Sequence, residues 1–141
     1  MEQLVRSGKT RAIGVSNFTI PQLERLLSIA EIKPVCNQVE AHPWLPQNEL
    51  LEYCRGKGIV LVAYSPLGTQ PGGWHTRDAI LLDDKDVVEV AKRNRVEPAQ
   101  VLIAWACRWL SGRKCSQLAQ ILTSTLYSAA RDYPHTKILN P

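Results

Sequence analysis

Apolar positions along this chain switch between two periods. Ala12 to Val15 is a short β-branched run, and Leu23, Leu26, Leu27 and Ala30 then recur at helical spacing. Thr19 followed by Gln22 is a capping-box signal that opens this helix. Pro34 blocks its continuation, and Val35 to Val39 alternate apolar with polar residues up to Glu40, which predicts a second strand. Glu49 to Arg55 predicts a second helix, stopped near Gly56 and Gly58. Ile59 to Ala63 is a continuous apolar run, the pattern of a parallel strand buried on both faces. Asp83 and Asp84 are placed to cap a helix through Val87, Val88 and Ala91, and Pro98 sits in the first turn of another that runs to about Trp109.

Strands that alternate with helices pair in parallel through right-handed crossovers. The expected class is therefore α/β, with about three parallel strands and flanking helices. In such folds ligands lie beyond the carboxyl ends of the strands. Three segments end a strand-like run in polar or glycine residues: Ala12-Ile13-Gly14-Val15-Ser16-Asn17-Phe18, Asn37-Gln38-Val39-Glu40 and Ala63-Tyr64-Ser65-Pro66-Leu67-Gly68. Ser16 and Asn17 can offer a hydroxyl and an amide to a primary carboxamide, although Ser-Asn after a strand is also an ordinary turn and N-cap pair. Gln38 can pair a donor and an acceptor with the same group, or satisfy nearby backbone. Tyr64 presents a flat face for an aromatic ring, or packs in a core.

Together these three segments resemble the aldo-keto reductase family, and the resemblance runs on through Pro98-Ala99-Gln100-Val101-Leu102-Ile103 and Trp105-Ala106 to about Arg108. It implies a C-terminal half of a (β/α)8 TIM barrel, not a closed one, since a barrel takes about 250 residues and the chain has 141. It implies NADP, as NADPH, as the cofactor, with Ser16, Asn17 and Gln38 on the nicotinamide carboxamide and Tyr64 stacked on its ring. Ser65, Leu67, Gly68 and Thr69 match the family's loop over the cofactor pyrophosphate. Pro71 stands where some reductases place an acidic latch, and Trp74 stands where some place a substrate-pocket tryptophan, its alternative being a loop anchor. The family's general-acid Tyr, the Lys and Asp that tune it and the His that orients the carbonyl belong to earlier strands and loops. No catalytic residue is carried onto this sequence.

Two parts follow from this resemblance: a partial reductase domain over 1–108 and a divergent tail over 109–141, either helical or disordered. The tail lacks the family's final strand with its Pro-Lys-Ser segment and following Arg, which bind the adenosine 2′-phosphate. Its sequence is that expected of a shifted reading frame or a retained intron. The whole protein is expected to reduce a small-molecule aldehyde or ketone by hydride transfer from NADPH, and this chain alone to be catalytically incomplete. The competing reading is a non-catalytic nucleotide-binding or subunit-interaction module that self-associates through exposed barrel edges.

Composition narrows the alternatives. With 45% apolar and 21% charged residues the chain is that of a globular domain. The net charge of +4 is spread over helix faces and turns without interleaved aromatics, so no nucleic-acid partner is expected. Cys36, Cys54, Cys107 and Cys115 show no zinc-ligand spacing and read as reduced thiols, with no metal site. Met1-Glu2-Gln3 opens no signal peptide, and no run approaches the roughly 18 apolar residues of a membrane span. A cytoplasmic protein is the expectation. His42 follows the second strand, but in the resemblance it is a structural His-Pro pair rather than a proton donor. His75 and His135 lie in weakly patterned segments.

Overall fold

The computed structural model describes residues 1–68 and 79–111. Thr69, Pro71, Trp74, His75 and the residues from Gly112 onward, including Cys115 and His135, lie outside the described residues, as does nearly all of the predicted tail. The chain divides into two compact units, one formed by Met1–Glu40 and Gln47–Tyr64, the other by Ala41–Pro46 and the chain from Ser65.

The first unit is a three-stranded parallel sheet with helices between the strands. Its elements are α1 (Glu2–Arg6), β1 (Val15–Ser16), α2 (Ile20–Ile29), β2 (Cys36–Glu40), α3 (Asn48–Lys57) and β3 (Val60–Tyr64). The strand order is β1-β2-β3, and both pairs are parallel. This open α/β arrangement is that of part of a TIM barrel. As the sequence pattern implies, Gln22 reaches back to the Thr19 N–H at 2.8 Å and opens α2. α3 extends past the expected Arg55, because Gly56 continues the helix and only Gly58, at φ +66°, turns the chain left-handed. The side chain of Lys33 then donates to the Lys57 carbonyl at 2.8 Å, placing a cation at the helix C-terminus.

Two expectations are corrected. The first strand is not Ala12 to Val15 but Val15–Ser16. Ile13 still accepts from the Val35 N–H at 2.8 Å, so the run lies beside β2 with only its end in ladder pairing. The apolar run of β3 is not buried on both faces. Val15, Asn37, Val39, Leu61 and Ala63 share one side by register. Of these, Asn37, Val39 and Leu61 are buried, as are Leu23 of α2 and Leu51 and Cys54 of α3. The opposite side carries Ser16, Cys36, Gln38, Glu40, Val60, Val62 and Tyr64; Val60 is 61% exposed, whereas Glu40 at the end of β2 is buried. Among the described residues that side is left uncovered at Ser16, Gln38 and Val60.

The sequence pattern gave no sign of α1. It is held by the Glu2 carboxylate, which accepts from the backbone N–H groups of Glu31 and Ile32 at 2.9 Å each, and by an Arg6–Glu31 ion pair. The Ile32 N–H bond holds the Glu2 carboxyl below the usual carboxylate range.

The second unit packs a 3-10 turn (Leu81–Asp83), α4 (Lys85–Asn94) and α5 (Pro98–Ser111) around Leu81, Val87, Val90, Val101, Leu102 and Trp105. Asp84 caps α4 by accepting from the Asp86 and Val87 N–H groups at 2.9 and 3.4 Å, and Pro98 opens α5, both as expected. Trp109 stacks on Trp105 with ring centroids 5.9 Å apart, and its indole donates to the Pro46 carbonyl at 2.9 Å.

Two outcomes are expected from these contacts. At Gly14 an added Cβ would lie 2.4 Å from Cys36 Sγ and 3.1 Å from the Cys36 carbonyl oxygen. Gly14→Ala should therefore cost about 1–3 kcal/mol in a urea melt, with Cys36→Ala in the same chain recovering part of it. Because the folded-state value of Glu2 is lowered, its contribution is present above the unfolded carboxylate value of about 4.3 and is lost as pH falls through the folded one. Glu2→Gln should remove that portion of the acid-side loss when melts are compared across pH 2 to about 6.

Candidate functional site

The carboxyl ends of the three strands bring four of the expected residues together in the first unit. Ser16 and Gln38 are neighbours in the β1–β2 register, and Tyr64 ends β3 opposite Glu40, two pairs beyond the Gln38–Val62 pair. All three fall on the uncovered side of the sheet. Asn17 follows β1 directly and takes the left-handed conformation at φ +59°, which asparagine tolerates better than most residues.

Gln38 supplies its backbone and its side chain to different ends. Its carbonyl oxygen accepts from the Asn17 N–H at 2.9 Å and from the Ser16 hydroxyl at 2.9 Å. With its proton committed, the Ser16 oxygen has only lone pairs left to offer. The Gln38 side chain is exposed, and no described residue hydrogen-bonds it. The expected alternative for Gln38, a buried amide satisfying backbone, is therefore not what the fold shows. Tyr64 is half-buried and donates its hydroxyl to Asn17 Oδ1 at 3.1 Å. Neighbouring strands are about 4.8 Å apart, so this bond links the two outer strands across the end of β2.

One residue that organises this site was not singled out from the sequence. Asn37 is 0% exposed, on the covered side of β2, and holds both backbone groups of Phe18. Its Nδ2 donates to the Phe18 carbonyl at 2.8 Å, and its Oδ1 accepts from the Phe18 N–H at 3.3 Å. The turn that carries Asn17 is thus gripped from beneath by Asn37 and from above by Tyr64. A buried asparagine beside an exposed glutamine in one strand was the available signal.

Ser65, Leu67 and Gly68 belong to the second unit, where Ser65 (φ +47°) and Gly68 (φ +81°) bound a tight turn. The Gly68 N–H donates to the Ser65 carbonyl at 2.9 Å, so the turn itself uses one of the backbone donors expected to face phosphate oxygens. A Cβ on Gly68 would meet Leu81 Cβ at 3.0 Å. Thr69 and Trp74 lie outside the described residues. His42 is buried in a short bridge, with its N–H on the Leu45 carbonyl at 3.2 Å and the Leu45 N–H on its own carbonyl at 2.8 Å. Among the described residues Cys36, Cys54 and Cys107 are free thiols, and burial pushes the Cys54 thiol up, away from reactivity. No group of three or more metal-ligating side chains and no helix long and apolar enough to cross a membrane occur among the described residues.

Hydroxyl lone pairs at Ser16, an amide at Asn17 and a second amide at Gln38 form a donor and acceptor set matched to a primary carboxamide, with an aromatic side chain beside them. None of Ser16, Asn17 or Gln38 exchanges a proton near neutral pH. The set can orient a ligand, and it holds no acid or base of its own.

Three parallel strands alternating with helices in an open sheet are the class of a partial TIM barrel. The sequence profile of the aldo/keto reductase family matches residues 1–124, and the chain belongs to that family. It is 48% identical over 107 residues to glycerol 2-dehydrogenase (NADP(+)) of Saccharomyces cerevisiae, a match covering 74% of this chain and 32% of that protein. It is 44% identical over 108 residues to aldehyde reductase YPR1 of the same organism, covering 75% and 32%. With aldo-keto reductase family 1 member A1 of Xenopus tropicalis the identity is 41% over 126 residues, covering 89% of this chain and 37% of the relative. The chain spans about a third of the length of the curated relatives it matches. What the relatives support is a third of a reductase, not the C-terminal half that the resemblance implies.

The grip on Phe18 makes a direct prediction. Asn37→Ala leaves two backbone groups without their partners and should cost about 2–4 kcal/mol in chemical denaturation. Asn37→Asp would set a carboxylate oxygen against the Phe18 carbonyl at a buried position and should cost at least as much as the alanine variant near neutral pH.

Proposed function

We propose that the first unit is the nicotinamide-holding portion of an NADP-dependent carbonyl reductase. In the whole protein a hydride from NADPH would reduce a small aldehyde or ketone. The observation that carries this reading is the convergence of Ser16, Asn17, Gln38 and Tyr64 at the carboxyl ends of three adjacent parallel strands. Family membership and the names of the relatives, a glycerol dehydrogenase using NADP(+) and an aldehyde reductase, support the same substrate class.

NADPH, when bound, supplies the hydride. Ser16 would accept from the carboxamide N–H, the uncommitted Nδ2 of Asn17 would donate to the carboxamide oxygen, and Gln38 would pair with either. Tyr64 would lend its ring face to the nicotinamide, a contact worth about 0.5–1.5 kcal/mol beyond area burial. The proton that completes carbonyl reduction would come from a barrel segment outside this chain, so the chain alone would bind and orient without turnover.

A second reading has its own observation. Val60 is 61% exposed on the uncovered side of the sheet, and a surface of that kind favours association with another subunit. Titration of the 141-residue chain with NADPH, followed by cofactor fluorescence, separates the two readings. The reductase reading expects saturable binding. Gln38→Ala is the sharpest variant, because no described residue bonds that side chain: the thermal melt should stay unchanged while affinity falls about three- to tenfold. A size that grows with concentration in analytical ultracentrifugation, with no nucleotide response, would instead establish the subunit-interaction reading.

A further inference from the structure

Tyr64 has a second group that stacking does not use. Its hydroxyl donates to Asn17 Oδ1 at 3.1 Å, joining the end of β3 to the turn after β1. Asn17 is otherwise held only through its backbone, by its N–H on the Gln38 carbonyl at 2.9 Å and by the Asn37 grip on the next residue. Its side chain is exposed, and an exposed asparagine amide samples several rotamers unless something holds it. Among the described residues the Tyr64 hydroxyl is its single anchor, and the anchor takes the oxygen and leaves Nδ2 uncommitted.

On the reading proposed above, we infer that Tyr64 is a positioning residue for Asn17 as well as a stacking surface. Its hydroxyl holds the Asn17 amide in the orientation that presents Nδ2 to the carboxamide oxygen of the nicotinamide. Ordering this side chain before the ligand arrives removes an entropic cost from binding. The hydroxyl therefore contributes to affinity for the nicotinamide end of the cofactor without touching it. Removing it should act through Asn17 and nowhere else.

A double-mutant cycle on the 141-residue chain tests this, with Tyr64→Phe, Asn17→Ala and the double variant titrated with NADPH and with adenosine 2′,5′-bisphosphate, which lacks the nicotinamide. Phenylalanine keeps the ring and removes only the hydroxyl. Tyr64→Phe should weaken NADPH about three- to tenfold, and the double variant should be no weaker than Asn17→Ala alone. Affinity for the bisphosphate, whatever its value, should be the same in all four proteins. A general loosening of the fold would move both ligands together, and circular dichroism melts identify any variant that fails to fold. Should Tyr64→Phe misfold, Tyr64→Trp, which also carries a flat ring and no hydroxyl, replaces it in the cycle, with the same nicotinamide-only loss expected. NADPH affinity unchanged in Tyr64→Phe, or losses that simply add in the double variant, would overturn the positioning role while leaving the cofactor reading intact. Failure of the wild type to bind NADPH at all would overturn the cofactor reading and the positioning role together.

Discussion

The carbonyl oxygen of Gln38 is the point on which the first unit turns. It accepts the Asn17 N–H and the Ser16 hydroxyl at 2.9 Å each, so one atom of β2 fixes both where β1 ends and how its last side chain is presented. A carbonyl has two lone pairs, and both are used here. The result is a division within one residue: backbone atoms secure the neighbouring strand, and the side chain stays exposed. Asn37 repeats the principle one position earlier, with a side chain that secures the backbone of Phe18 from the covered side.

Period-two alternation converts this arrangement into two distinct surfaces. The side with Asn37, Val39 and Leu61 is buried, while on the other Ser16, Gln38 and Val60 are exposed and Glu40, at the strand end, is buried. Parallel strands are ordinarily covered on both faces, because crossovers place helices on one and a barrel interior or a second helical layer on the other. In this unit only the helical cover is present among the described residues. Among the described residues Val60 is left 61% exposed, although the run at β3 has the apolar sequence of a fully buried strand.

Most of the fold was legible in the sequence for local reasons. Thr19 with Gln22, Asp84 before Val87, and Pro98 at a helix start each report a terminus through chemistry confined to a few residues. The misjudged features depend on distant partners. β1 could not be trimmed to Val15–Ser16 without knowing where β2 lies, and Gly56 and Gly58 look alike until the helix shows which one it can absorb. α1 was invisible because its anchor is a carboxylate 29 and 30 residues away from the N–H groups it accepts. At the site, Ser16, Asn17, Gln38 and Tyr64 were readable as strand-end residues, and the fold gathers them. Asn37 was not, since in a strand a buried amide and an exposed one differ only in which way the pleat turns them.

The same pleat sorts what neighbouring residues of this sheet can do. Residues on the covered side set positions and those on the uncovered side carry unspent hydrogen-bonding capacity, so recognition and folding draw on different atoms of adjacent residues. That separation explains why an orienting shelf can be built from three strands. Proton transfer cannot be added on the same terms, since a group that gives up a proton near neutrality needs charged or desolvating neighbours to tune it. Ser16, Asn17 and Gln38 have neither such chemistry nor such neighbours in their exposed setting. A hydrogen-bonding set needs only a register, whereas an acid needs an enclosure, and at Ser16 and Gln38 the sheet offers the first without the second.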